Sequence, residues 1–284
     1  MSRFRMRIAA ALLLAAGTWP ALAQSSQPGV PEALRGAWFA GGCADPEAML
    51  AVTARAAARL ETGGPSRLFR FRATAEHGAW TLGTAGGAEA PRLLLRAADA
   101  GLETAEPDAK LRDDRLPGDS MVTAWQRCPA PPVALAALHG EGVAFLAALE
   151  HLEAGCGSGT PGACAAAIVA QADVSGDNAL SPAELARLAR GAAWVAAVQE
   201  GATAEVVGGV AGIGTLGGIL SARLLLESLD YDGDGRLSPA ELAQDRVGFA
   251  TAAGTTAGSP LRMDGVSEGA AALRALMEGL ATLR

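Results

Sequence analysis

Two hydrophobic periodicities divide the chain. From about Leu34 to Cys128, apolar and polar residues tend to alternate. Leu68-Phe69-Arg70-Phe71-Arg72 places its phenylalanines on one face and its arginines on the other. Trp80 and Leu82 alternate likewise, as do Trp125 and Arg127 with Val122, Ala124 and Gln126. Successive side chains of a strand point to opposite faces, so this pattern predicts half-buried strands. Glycine-rich stretches such as Gly83-Thr84-Ala85-Gly86-Gly87 predict the turns between them. The expectation is a small antiparallel β domain over 33–128, in which Ala48 to Leu60 fits a helix or strands equally well. Trp38, Trp80 and Trp125 are its expected aromatic core, because aromatic rings bury the most area per residue.

The period changes after Pro129-Ala130-Pro131-Pro132, a proline run that bars regular structure and marks the domain boundary. Leu135, Leu138, Phe145, Leu149 and Leu152 fall on one helical face, with Gly140 and Gly142 as points of interruption. Val266, Ala270, Leu273, Met277 and Leu280 repeat such a stripe near the end. The fold class expected is therefore α+β, a small antiparallel β domain followed by an all-helical domain over 133–284.

Composition sharpens this picture. Half of the 284 residues are apolar but only 4% are aromatic, which favours helices joined by glycine-rich turns. The formal charge of −7 and the lack of a Lys/Arg cluster argue against nucleic-acid binding. Residues 1–23 read as an export signal: Arg3, Arg5 and Arg7, then an apolar core from Ile8 to Ala16, then Ala21-Leu22-Ala23 before Gln24. The apolar run is too short for a membrane anchor. Cleavage removes three arginines and no acid, so the mature charge becomes −10. Residues 24–32 read as a polar linker, and the location expected is periplasmic or secreted.

Export brings the four cysteines into an oxidising compartment. Cys156 and Cys164 flank a short loop rich in glycine, and Cys43 and Cys128 lie near the two ends of the β domain. These positions favour the pairs 43–128 and 156–164 among the three possible pairings. A four-cysteine metal site lacks its C-x-x-C spacing.

Two twelve-residue segments share one plan. The second runs Asp230-Tyr231-Asp232-Gly233-Asp234-Gly235-Arg236-Leu237-Ser238-Pro239-Ala240-Glu241, and the first runs Asp173-Val174-Ser175-Gly176-Asp177-Asn178-Ala179-Leu180-Ser181-Pro182-Ala183-Glu184. A hard cation needs six to eight oxygens at about 2.3–2.6 Å, which a short loop supplies only from alternate positions followed by a sharp turn. Asp230, Asp232 and Asp234 offer carboxylates, Gly235 permits the turn, and Arg236 offers its backbone carbonyl while its side chain is free to face solvent. Ser238 and the closing Glu241 complete the set. In the first segment the corresponding donors are Asp173, Ser175, Asp177, the Ala179 carbonyl, Ser181 and Glu184. Asn178 replaces the turn glycine there; after glycine, Asn is most at ease with positive φ. Taken alone, Ser-Pro-Ala-Glu is an ordinary helix start with a capping box. The joint pattern carries more, since each segment has a leucine at position 8 and apolar residues at helical spacing before it.

These segments resemble the loops of the EF-hand family, and the match extends from about Cys164 to Phe249. The resemblance implies that Ca²⁺ is bound by both loops, 173–184 and 230–241, in a paired helical domain. With four carboxylates against three, the second site is expected to be the tighter. Fifty-seven positions separate Asp173 from Asp230, wider than in an adjacent pair of that family, and Asp245 and Arg246 stand where apolar residues are expected. Gly36-Ala37-Trp38, with a disulfide closing Cys43 to Cys128, resembles the opening of a small lipocalin-like barrel; no ligand site follows from it.

The apolar, glycine-rich segment 206–220 fills the space between the loops, with Gly208/Gly212 and Gly214/Gly218 at small-x-x-x-small spacing. Burial in the helical domain is favoured over membrane or partner contact, because the run is marginal for a span. His77, His139 and His151 lie outside any catalytic motif. His151, with Glu150 and Glu153, is expected on a solvated helix face. The functional expectation is a non-enzymatic exported calcium-binding protein with a structural or sensing role. The alternatives are a β-barrel-like ligand-binding or inhibitor module stabilised by the loops, or an envelope-associated assembly protein using 206–220.

Overall fold

The computed structural model describes residues 29–87, 90–157 and 159–245, with the side chains of 211–213 left aside. The export signal expected at 1–23 and the helical stripe expected at 264–283 lie outside the described residues. Eight strands form one sheet in chain order, each antiparallel to the next. They are β1 (Gly36–Gly42), β2 (Asp45–Val52), β3 (Ala56–Glu61), β4 (Arg67–His77), β5 (Trp80–Ala85), β6 (Arg92–Ala98), β7 (Gly101–Ala105) and β8 (Val122–Trp125). Phe39 and Gln126 exchange backbone hydrogen bonds of 2.8 and 2.9 Å, so the chain leaving β8 returns to β1 and the sheet nearly closes into a barrel. The Cys43–Cys128 disulfide fastens the same seam, and Cys156–Cys164 forms as well. Two disulfides fit an oxidising compartment.

Trp38, Leu50, Val52, Phe69, Phe71, Leu93, Leu95, Leu102 and Trp125 fill the barrel interior. Val30 and Leu34 join them, so the end of the expected linker belongs to the barrel; Val30 N–H also donates to the Ala54 carbonyl at 2.8 Å. Gly83 matters because a Cβ there would lie 2.4 Å from the Phe71 ring. The guanidinium of Arg127 stacks on Trp38, 4.0 Å from the ring centre, and covers one end of the core. Residues 48–52 and 56–60 are strands, and both faces of them are buried. Their outward side chains, among them Met49, Ala51, Ala58 and Leu60, pack against helices instead of solvent.

The helices are α1 (Val133–Gly157), α2 (Pro161–Ala172), α3 (Pro182–Gln199) and α4 (Ala204–Leu229), with residues 239–245 forming the described part of a fifth, α5. The chain is thus α+β. Helix α1 runs unbroken through Gly140 and Gly142, the expected points of interruption. Gly142 is a contact instead: a Cβ there would lie 2.0 Å from the Trp194 indole of α3. Leu146, Leu149, Trp194, Val195 and Val198 press this helix pair onto the outer face of the barrel. Glu150 and Glu153 also leave the solvated face expected for them. Glu150 accepts hydrogen bonds from the Thr53 hydroxyl at 2.5 Å and the Arg55 N–H at 2.7 Å, and Glu153 pairs with Arg70. His151 is exposed.

The segment 206–220 lies within α4. Gly214 and Gly218 face α3, where a Cβ on Gly218 would come within 2.9 Å of the Ala186 carbonyl. Val207 is buried on the same side, whereas Val206, Leu216, Ile219, Leu220 and Leu224 are exposed. The α3–α4 turn docks on the barrel through the Ser66 N–H, which donates to Ala202 at 3.0 Å.

His139 lies buried in this interface, and its Nδ1 accepts from Trp194 Nε1 at 3.1 Å. Burial lowers its pKa from 6.5 to about 4. The native state therefore binds fewer protons than the unfolded chain between these values. Stability is full above the unfolded value and falls as pH drops from about 6.5 towards about 4. Urea denaturation is expected to give an unfolding free energy about 1 kcal/mol lower at about pH 5.5 than at about pH 7. His139→Gln is expected to flatten this difference.

Candidate metal centre

Each loop joins two helices whose ends the sequence specifies. Thr160 caps α2 by accepting from Ala163 N–H at 3.2 Å, and α2 ends at Asp173. Ser181 opens α3 with a reciprocal capping box to Glu184, and Pro182 occupies the first turn. Ser238 and Glu241 repeat this pairing at the start of α5, with Ser238 N–H donating to Glu241 Oε2 at 2.9 Å and Glu241 N–H to Ser238 Oγ at 3.3 Å.

Between these ends the loops coil alike. Asp230 Oδ1 accepts from the N–H groups of Gly233 and Asp234 at 2.8 and 3.1 Å, and its Oδ2 from Gly235 at 2.9 Å. Asp173 repeats this with Gly176, Asp177 and Asn178 at 2.6, 3.3 and 2.7 Å. Gly235 and Asn178 both take the left-handed conformation, with φ of 81° and 62°. Asn178 therefore performs the turn that glycine performs in the second loop. Gly176 and Gly233 also have positive φ, 77° and 76°. Sequence reasoning passed over these two glycines, although their shared fourth position was the available signal.

Carboxylate oxygens of Asp230, Asp232 and Asp234 all lie within 4.8 Å of one another. Three like charges at that separation repel, and a shared cation relieves the repulsion. The donor set consists entirely of oxygen, which suits a hard divalent cation. In the first loop, Ser175 turns inward and its hydroxyl donates to Asp173 Oδ1 at 3.1 Å. The Ala179 and Arg236 N–H groups donate to Asp177 and Asp234 at 3.1 and 2.8 Å.

Burial alone would raise the pKa of Glu184, but donors from Ser181, Ser175 and Val174 outweigh it and hold the carboxyl at about 2. Backbone N–H of Ser238 lowers the pKa of Glu241 against a smaller opposing effect of burial. Both closing glutamates are thus kept as carboxylates. Tyr231 turns its hydroxyl onto Asp245 at 3.1 Å, so the acid expected to spoil α5 receives a hydrogen bond.

Leu180 and Leu237 pair as an antiparallel bridge, each N–H donating to the other's carbonyl at 2.9 and 3.0 Å. Both side chains are fully buried with Val169, Leu185, Ala222 and Leu226. The wide sequence separation is taken up by α3, the turn 200–203 and α4, which fold as an antiparallel hairpin and return the second loop to the first. One expectation needs correction. The Arg236 side chain does not face solvent freely but forms an ion pair with Asp177 of the first loop. No sequence rule specifies this, because it depends on how the bridge aligns the loops.

Compared with protein families, curated proteins and solved structures, the chain finds no match.

The left-handed position 178 is directly testable. Asn178→Val is expected to lower the unfolding free energy by about 1–2 kcal/mol, because a β-branched residue strains there. Asn178→Gly is expected to stay within about 0.5 kcal/mol. Chemical denaturation of the metal-free protein measures both.

Proposed function

We propose that the chain is an exported calcium-binding protein of the EF-hand type, located in the periplasm or secreted. The observation that carries this reading is the convergence of Asp230, Asp232 and Asp234 in a helix-flanked loop that is bridged to a second loop of the same plan. In this reading Asp230, Asp232, Asp234, Ser238, Glu241 and the Arg236 carbonyl hold one Ca²⁺. Asp173, Ser175, Asp177, Ser181, Glu184 and the Ala179 carbonyl hold the other. Affinities on the order of 10⁻⁴–10⁻³ M suit an extracellular module, for which the ion is a structural element of the fold. The disulfides support export. Side chains already occupy the barrel interior, which makes a ligand-binding barrel the poorer account.

Calorimetric titration of the chelator-treated protein tests this proposal. Two calcium ions are expected per chain, falling to one in Glu184→Gln and to one in Glu241→Gln; absence of heat in the wild type sinks it.

The exposed stripe of α4 favours a second reading, in which Leu216, Ile219, Leu220 and Leu224 touch a membrane surface. Flotation of the full chain with phosphatidylcholine vesicles is then expected, and Leu220→Glu should abolish it.

A further inference from the structure

Arg236 belongs to the second loop by sequence and serves the first by its charge. Its guanidinium crosses the Leu180–Leu237 bridge and pairs with Asp177 Oδ2. The other oxygen of Asp177 accepts the Ala179 N–H at 3.1 Å. Both oxygens of this candidate ligand are therefore engaged. Among the described residues, the carboxylates of Asp230, Asp232, Asp234 and Glu241 form no ion pair with an arginine, lysine or histidine. The arrangement runs one way, because Ala179, the first loop's counterpart of Arg236, has no charge to return.

We propose that Arg236 is a tethered counter-ion that competes with a divalent cation for Asp177, so that the second loop sets the affinity of the first. This rests on the calcium reading of both loops. Asp173, Asp177 and Glu184 carry three negative charges, and the guanidinium offsets one of them. A cation that takes Asp177 Oδ2 must displace the guanidinium. Arg236 and Asp177 side chains are 42% and 36% exposed, so the pair exchanges with solvent and is partly screened. Arginine does not lose its proton in proteins, so the competition persists across the ordinary pH range. Added salt weakens the pair by screening. The asymmetry between the sites thus has a source beyond their carboxylate count: a neighbouring cation occupies one loop and leaves the other free.

The test uses the full chain, stripped of metal by chelation, with the second loop disabled by Glu241→Gln. Calcium calorimetry then reads the first loop alone. If its affinity is below the calorimetric range, terbium(III) luminescence makes the same comparison. Adding Arg236→Gln is expected to tighten binding at the first loop by about two- to fivefold, the size of effect expected on losing a partly exposed competing ion pair. With Asp177→Asn also present, the same change is expected to alter affinity by less than about twofold. No gain from Arg236→Gln overturns the proposal. An equal gain with and without Asp177 also overturns it, since it would show a general charge effect rather than competition for that carboxylate. Wild-type protein that binds neither ion overturns the calcium reading itself, and measuring the wild type first keeps the two failures distinct.

Discussion

Two hydrogen bonds between Leu180 and Leu237 hold together parts of the chain that two long helices keep apart in sequence. Such a short bridge is weak by itself. It persists because both leucines are buried in the apolar cluster where α2, α3, α4 and α5 meet. Each loop is thereby fixed at its eighth position, and the capped helix that follows fixes its twelfth. The backbone between these points is held too, since the position-1 aspartates accept from the N–H groups of positions 4, 5 and 6. The loops are shaped by ordinary hydrogen bonding before any ion is considered.

The same helix α3 that leaves the first loop also packs on the outer face of the barrel. Trp194 sits against Gly142 of α1 and joins the cluster that includes Phe39, Met49 and Leu60 of the sheet. Arg190, four residues earlier, forks onto Glu141 of α1 with bonds of 2.7 and 2.8 Å. The small residues of α4 close the other side of α3. An aromatic-poor chain thus packs α3 closely on both sides. Glycine takes part by admitting the Trp194 indole at 142, Phe145 at 191 and the Ala186 carbonyl at 218.

Much of this was legible in the sequence. Alternation identified the strand in β4, where Phe69 and Phe71 are buried and Arg72 is exposed. It left 48–60 open between helix and strands, because helices bury the second face there and erase the polar half of the pattern. The disulfides followed from position. The likeness of the two loops was readable because their Asp, Gly, Leu and Ser-Pro-Ala-Glu positions repeat at the same spacing, a purely local pattern. Partnerships between distant elements were not readable. Glu150 and Glu153 looked like solvent-facing acids until the barrel supplied Thr53, Arg55 and Arg70. Arg236 looked free until the bridge placed Asp177 beside it. Gly142 looked like a helix breaker because nothing nearby in sequence announces Trp194.

The docking of the α3–α4 turn at Ser66 has a mechanical consequence. The hairpin is held at one end by the barrel and at the other by the bridged loops. Eighteen residues of α3 make a strut about 27 Å long, at 1.5 Å per residue. The barrel and the paired loops thus hold the two ends of one helical hairpin.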